Sequence, residues 1–230
     1  MKVRLGVFDI VGTTMSSGDE VPHAFGAAFL SVGVTLPPDA VTQVRGRSKR
    51  EAIATLLAAH GPVGRDPSQL ASAVYSTFQE LLRRSYETSA KPIPGAESAL
   101  AELRDSGVAV VLNTGLDRET TRRLLRSLGW DALGLDGVVT GDDVQAGRPA
   151  PDLIRAAMQL VGEGDPRAVV SVGDTISDLE AAHAAGVGLS VGVLTGAHGR
   201  EGLAVCPHSV ILDSVADLPG WLRSLGAMGG

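Results

Sequence analysis

The sequence predicts an α/β protein: a doubly wound parallel sheet that carries an inserted helical cap domain. Three observations predict it. Short runs with no polar face recur along the chain, as expected of strands covered by helices on both sides. Helix-like segments that stop at glycine separate these runs. Between residues of about 16 and 90 the alternation ceases and only helical patterns remain.

The elements follow in order. Residues 3–8 read as a first strand, and similar runs lie at 108–113, 137–140, 168–173 and 189–193. Helical patterns at 96–106 and 118–128 end at Gly107 and Gly129; a third, 151–161, opens with Pro151 and Asp152, and a fourth, 177–185, ends at Gly186. Strands and helices alternating at this spacing build a doubly wound core. The insert reads as helices at 22–32, 38–44, 49–60 and 67–88. Ser16-Ser17-Gly18 and Ala90-Lys91-Pro92 are flexible crossings. Residues 1–15 and 91–230 are therefore assigned to the core domain and 16–90 to the cap. A cleft between them is a natural ligand site.

Composition bounds the function. Of 230 residues 44% are hydrophobic, enough to fill a core, but only 3% are aromatic, so Ala, Val and Leu must pack it. The net charge of −6 offers no basic field for a nucleic acid or an anionic membrane. The expected partner is a small phosphorylated or phosphonate substrate, with a homodimer through a cap helix as a further possibility. The single cysteine, Cys206, precludes an internal disulfide, which fits a reducing cytoplasm, and reads as structural. The apolar run after Lys2 and Arg4 is broken by Asp9, too early for a signal peptide or a membrane span. The C-terminal Gly-Ala-Met-Gly-Gly is expected to fray.

Ligands of such sheets bind beyond the carboxyl ends of the strands. There the chain places Asp9 with the turn Gly12-Thr13-Thr14, then Asn113-Thr114-Gly115, then Gly141-Asp142-Asp143 and Arg148, then Gly173-Asp174-Thr175 and Asp178. Carboxylate oxygens suit Mg²⁺, and an Arg with backbone N–H groups suits phosphoryl oxygens. Singly, each is as readily a helix cap, a turn or a surface charge. The ordered set DxxGTT, NTG, GRPAPD and GDTxxD is far more specific.

This set resembles the haloacid dehalogenase superfamily over essentially the whole chain, and the resemblance implies that family's Rossmann-like core. It implies that Asp9 is a nucleophile forming an aspartyl-phosphate. It implies a Mg²⁺ held by Asp9, the Val11 carbonyl and Asp174, with Asp178 supporting the metal or its waters. Thr114 and the Gly115 amide would bind phosphoryl oxygens, and Arg148 would neutralise the approach of one anion to another. Val11, Gly12, Thr13, Asn113, Gly115 and Arg47 are the expected substrate-binding positions.

Val11 stands where most phosphatases of this superfamily carry an Asp that protonates the leaving alkoxide, help typically worth about 10²–10⁴ in rate. Phosphonoacetaldehyde hydrolase resembles this chain in having a small apolar residue there and Arg at the position of Arg148. Its leaving group is carbon, activated by an imine on a cap lysine. The segment Arg45-Gly46-Arg47-Ser48-Lys49-Arg50 puts Lys49 where that lysine falls. Arg45, Arg47 and Arg50 could lower its pKa or bind phosphonate. Arg45 and Ala52 replace the Met and His usual in that enzyme, so the nearest likeness is to a sister group, the phosphonatase-like hydrolases. His23 reads as an ordinary helix residue or a proton relay. The expected reaction is Mg²⁺-dependent cleavage of the C–P bond of a 2-oxoalkylphosphonate. The alternatives are a phosphate-ester phosphatase of the phosphoglycolate type, a metal-free haloacid dehalogenase, and a non-catalytic binding protein.

Overall fold

The computed structural model describes residues 2–62 and 64–228. Its centre is one sheet of six parallel strands in the order β3-β2-β1-β4-β5-β6. They are β1 (Leu5–Asp9), β2 (Ala109–Asn113), β3 (Gly137–Val139), β4 (Val169–Gly173), β5 (Leu189–Val193) and β6 (Val210–Leu212). The order reverses at β1, which pairs β2 on one side and β4 on the other. Their carboxyl ends therefore open a crevice above the middle of the sheet, the place where ligands of doubly wound sheets bind.

The apolar runs bury both faces, as their lack of alternation required. Leu5 and Val7 join Val111, Val139 and Val169 under Leu153, Ile154 and Ala157 of α6 (Asp152–Val161) and Ala181 and Ala182 of α7 (Ile176–Ala185). On the other face Phe8, Val110, Leu112 and Val170 pack with Leu100 and Leu103 of α4 (Ala96–Asp105) and Leu222 of α9 (Leu218–Ser224). The remaining core helices are α5 (Arg118–Ser127) and the single turn α8 (Arg200–Leu203).

Between β1 and β2 the described chain is helical, apart from lone bridges that Met15 makes to Val11 and Pro92. The main helices are α1 (Glu20–Leu30), α2 (Lys49–His60) and α3 (Pro67–Ser89). Phe25 of α1 meets Phe78 of α3 at a ring separation of 4.6 Å. Each buried aromatic of this kind contributes roughly 1.5–3 kcal/mol by leaving water. This helical layer shares a continuous apolar core with the second face of the sheet.

Three expectations need correction. The helix expected over 38–44 is only a 3₁₀ turn, Thr42–Val44, because two prolines precede it and β-branched residues fill it. The sixth strand escaped prediction: at three residues it carries too little pattern to register. The C-terminal segment does not fray through Met228. Ala227 and Met228 are buried, and the Ala227 carbonyl accepts the Val3 N–H at 2.8 Å; Gly229 and Gly230 lie outside the described residues. Among the described residues no helix is long and apolar enough to cross a membrane.

Candidate active site

The site begins with β1. Its last residue, Asp9, is buried, and the chain then turns sharply: the N–H groups of Thr13, Thr14 and Met15 all reach the Ile10 carbonyl. The turn needs Gly12, whose φ is +97° and whose place a Cβ would share with Asp174, 2.5 Å from its Oδ2. The Thr13 hydroxyl donates to Asp174 Oδ1 at 3.0 Å, and the Thr14 hydroxyl donates to the Asp9 carbonyl at 3.0 Å. Thr13 therefore orients a carboxylate across the sheet.

Arg148 organises the carboxylates. It is buried, and its Nη1 donates to Asp9 Oδ1 at 2.6 Å while Nε pairs with Asp178 Oδ1 at 2.9 Å. Nη2 donates to the Asn113 side-chain and main-chain oxygens. One planar guanidinium thus ties together the ends of β1 and β2 and the first turn of α7, a task suited to the fork of Arg and not to the point charge of Lys. Asp178 Oδ2 accepts from the Thr175 N–H at 3.0 Å and from its hydroxyl, closing a capping box at the start of α7. Both Asp178 oxygens are engaged by protein, so this residue holds Arg148 and the helix, and any support for a metal passes through those partners.

Asp174 is buried beyond the end of β4. The Ala197 N–H donates to its Oδ2 at 2.7 Å, and a Cβ on Gly196 would lie 1.9 Å from that oxygen. This loop after β5 was not foreseen as part of the site. Its signal was present, since Thr195-Gly196-Ala197-His198-Gly199 follows a strand end, as the foreseen motifs do. Thr195 also donates to the Gly12 carbonyl at 2.7 Å, which braces the β1 turn.

The helical layer closes the crevice with residues 45–51. Gly46 adopts φ +80° and lies so close to Thr175 that a Cβ would stand 2.3 Å from its Oγ1. The Ser177 hydroxyl donates to the Arg45 carbonyl at 3.2 Å, and the Lys49 N–H reaches the Gly115 carbonyl at 3.4 Å. Glu51 accepts the Gly147 N–H at 3.1 Å. Lys49, the first residue of α2, is thereby fixed over the crevice.

The resulting cleft is lined by Asp9, Val11, Thr114, Gly115, Arg148 and Asp174, facing Arg45 and Lys49 from the helical layer. Asn113, Gly12 and Thr13 stand behind these residues. Arg47 is not in the lining; its carbonyl packs on Gly115 and its Nε is buried without a partner. His23 is exposed on α1, off the stripe formed by Val21, Ala24 and Phe25, and is not among the residues that line the cleft.

The charges are strained toward neutrality. Burial pushes Asp9 up to about 8; Arg148 opposes, while Asp178 and Asp174 add to the rise. Burial, then Asp178, pushes Asp174 up to about 6. Burial lowers Lys49 to about 8, with Asp9 opposing and Arg148 and Arg45 adding to the fall. Lys49 is half-buried as a residue, but its amine is the dry end. Among the described residues no three His, Cys, Asp or Glu side chains gather as a metal cage. Two carboxylates with a main-chain carbonyl and waters is nonetheless a set that Mg²⁺ accepts. The glycine-walled cradle around Asp174 and the excess of buried negative charge fit a small divalent cation there.

The sequence matches, over residues 3–186, the family described as haloacid dehalogenase-like hydrolase. It is 28% identical over 240 residues to phosphonoacetaldehyde hydrolase of Latilactobacillus sakei, covering 98% of this chain and 89% of that one. Two solved structures superpose with a TM-score of 0.86. One is a hydrolase from Pseudomonas syringae, 23% identical, covering 96% of this chain and 99% of its own. The other is a phosphonoacetaldehyde hydrolase-like protein from Oleispira antarctica, 21% identical, covering 98% of this chain and 93% of its own.

Proposed function

The chain belongs to the haloacid dehalogenase-like hydrolases, and from that premise we propose that it cleaves the C–P bond of a phosphonoacetaldehyde-like 2-oxoalkylphosphonate. One observation carries this reading: a desolvated Lys49 amine shares a cleft with Asp9 and Arg148, while position 11 holds no acid. With its pKa near 8, about a tenth of the amine is neutral at pH 7, against roughly three in ten thousand for a lysine in water.

The steps use the residues as they stand. The Lys49 amine adds to the substrate carbonyl, the oxygen leaves as water, and a protonated imine remains. Asp9 attacks phosphorus; the P–C electron pair moves into the iminium and leaves an enamine on Lys49. No proton is required at the leaving atom, so Val11 suffices. Thr114 and the Gly115 amide hold phosphoryl oxygens, and Arg148 lowers the repulsion between Asp9 and the phosphonate. Water then cleaves the aspartyl-phosphate, and the enamine, protonated at carbon and hydrolysed, releases the aldehyde and restores Lys49. Asp9, the Val11 carbonyl and Asp174 would hold Mg²⁺, which would supply positive charge to the phosphoryl oxygens. The residues 16–90 act as the cap in this reading, keeping bulk water from the imine.

The test is phosphate release from phosphonoacetaldehyde with Mg²⁺, beside a panel of phosphate esters, for the wild type and Lys49→Arg. Release from the phosphonate that the substitution abolishes, with borohydride trapping an ethyl group on Lys49, supports the reading. Activity on esters alone, equal in both proteins, replaces it with a phosphatase of the phosphoglycolate type.

A further inference from the structure

Arg45 has no role in the steps above, yet it faces the cleft. Most arginines of this chain are ion-paired, among them Arg4, Arg83, Arg118, Arg148, Arg167 and Arg200. Among the described residues the Arg45 guanidinium meets no carboxylate and no side-chain acceptor. The residue is nevertheless held through its backbone. Its main chain is fixed by the Ser177 hydroxyl at 3.2 Å and by Gly46 lying against Thr175. A cation that lines a cleft on a fixed main chain, with no ion pair among the described residues, is available to an incoming anion.

Its main chain rests on a different part of the floor from that of Lys49. Residues 47–49 lie over the Thr114–Leu116 loop and Gly147, whereas Arg45 and Gly46 lie over Thr175 and Ser177, at the start of α7. Among the described residues two buried polar atoms also lack hydrogen-bond partners: the Tyr86 hydroxyl, on a residue only 2% exposed, and His198 Nδ1.

We propose that Arg45 is a specificity-determining residue that pairs with a carboxylate on the substrate, at the end remote from phosphorus. The preferred substrates are phosphonates, or phosphorylated acids, of three-carbon length that carry a terminal carboxylate. The inference deepens the reading above and rests on it for the location of the site, but it does not depend on the C–P bond being cleaved.

Binding separates the two ideas. Calorimetry with Mg²⁺ present compares 3-phosphonopropanoate with propylphosphonate, which have equal carbon chains and differ in the carboxylate. The wild type should bind the carboxylate about tenfold or more tightly, the scale of one charge-assisted pair. Arg45→Met should bring that ratio to about one, and Arg45→Lys should retain part of it; binding of propylphosphonate reports that the site is folded. A wild-type ratio of one overturns the proposal. So does a parallel loss of both ligands in Arg45→Met, which would assign Arg45 to the phosphoryl group. Neither probe is turned over, so failure of phosphonoacetaldehyde cleavage leaves this result standing.

Discussion

The floor and the roof of the cleft are built in opposite ways. On the floor, Asp9, Asp174 and Asp178 each have partners: Arg148, the Thr13 hydroxyl, the Ala197 N–H and the Thr175 cap. On the roof, Arg45 and Lys49 are held by the main chain, and among the described residues their charged ends make no hydrogen bond or ion pair. A floor with fixed side chains suits a step common to many substrates, the transfer of a phosphoryl group to Asp9. A roof with a fixed backbone and free cations suits the choice of what is attached to phosphorus. In the proposed reaction chemistry and selectivity would thus fall to different parts of the chain, which meet at Gly46, Gly115 and Gly147.

The sharpest way to break this comparison is to remove one group from each side. Asp9→Asn should abolish turnover of every substrate, by about 10⁴-fold or more, because the proposed nucleophile is lost. Lys49→Arg should lose oxo-phosphonate cleavage to a similar degree and keep binding of propylphosphonate within a few-fold. Phosphate release and calorimetry on both variants check this. If Lys49→Arg instead abolished phosphonate binding, the roof would belong to the phosphoryl seat and the division would fail.

The next effect is one of pH. Imine formation needs the neutral amine, and the Lys49 pKa is lowered to about 8. Cleavage of the oxo-phosphonate should therefore rise with pH until about 8, level off above it, and fall about tenfold or more for each unit below, since Asp9, pushed up to about 8, must also be ionised to attack. Arg45→Met removes a positive charge that disfavours the ammonium, so it should move the inflection upward. A pH–rate profile with the same inflection in both proteins would show that Arg45 does not reach the amine.

A third and smaller effect tests the joint. Gly46→Ala forces a Cβ into a left-handed conformation and against Thr175, costing about 1–2 kcal/mol or more locally. The loop should shift and kcat/KM for the oxo-phosphonate should fall about tenfold, with a change of only a few degrees in Tm. Equal losses in the two readouts would mean that Gly46 matters for folding alone.

How far the sequence revealed this arrangement differs between floor and roof. Asp9, Arg148, Asp174 and Asp178 were legible because a parallel sheet forces its strand ends to one edge, so chain order alone collects them. The same logic covered Thr195 to His198, but their only foreseeable chemistry is a main-chain N–H, which every residue has. On the roof, Lys49 was legible through its spacing from Gly46. That Arg45 rather than Arg47 faces the cleft was not legible, because the left-handed turn at Gly46 sets the direction of its neighbours. The pairing of Asp178 with Arg148 was not legible, because it crosses thirty residues of chain and leaves no local pattern. The 3₁₀ turn at Thr42–Val44 and the three-residue β6 were too short for periodicity to decide.

The smallest effect concerns a second tie between helical layer and core, away from the roof loop. Arg83 of α3 donates to the Thr120 hydroxyl at 3.2 Å and to Asp117 at 3.4 Å, and Asp117 caps α5 through the Thr120 N–H at 3.0 Å. The Arg83 side chain is 21% exposed and its contacts are long, so the pair is worth no more than about 0.5–1 kcal/mol. Asp117 itself, as a buried N-cap, should cost about 1–2 kcal/mol when replaced by Ala. Arg83→Gln should therefore lower Tm by a few degrees at most, less than Asp117→Ala, and leave the expected tenfold carboxylate preference unchanged. If Arg83→Gln weakened that preference, the seating of the whole helical layer would set selectivity, and the division between a fixed floor and a selective roof loop would have to be redrawn.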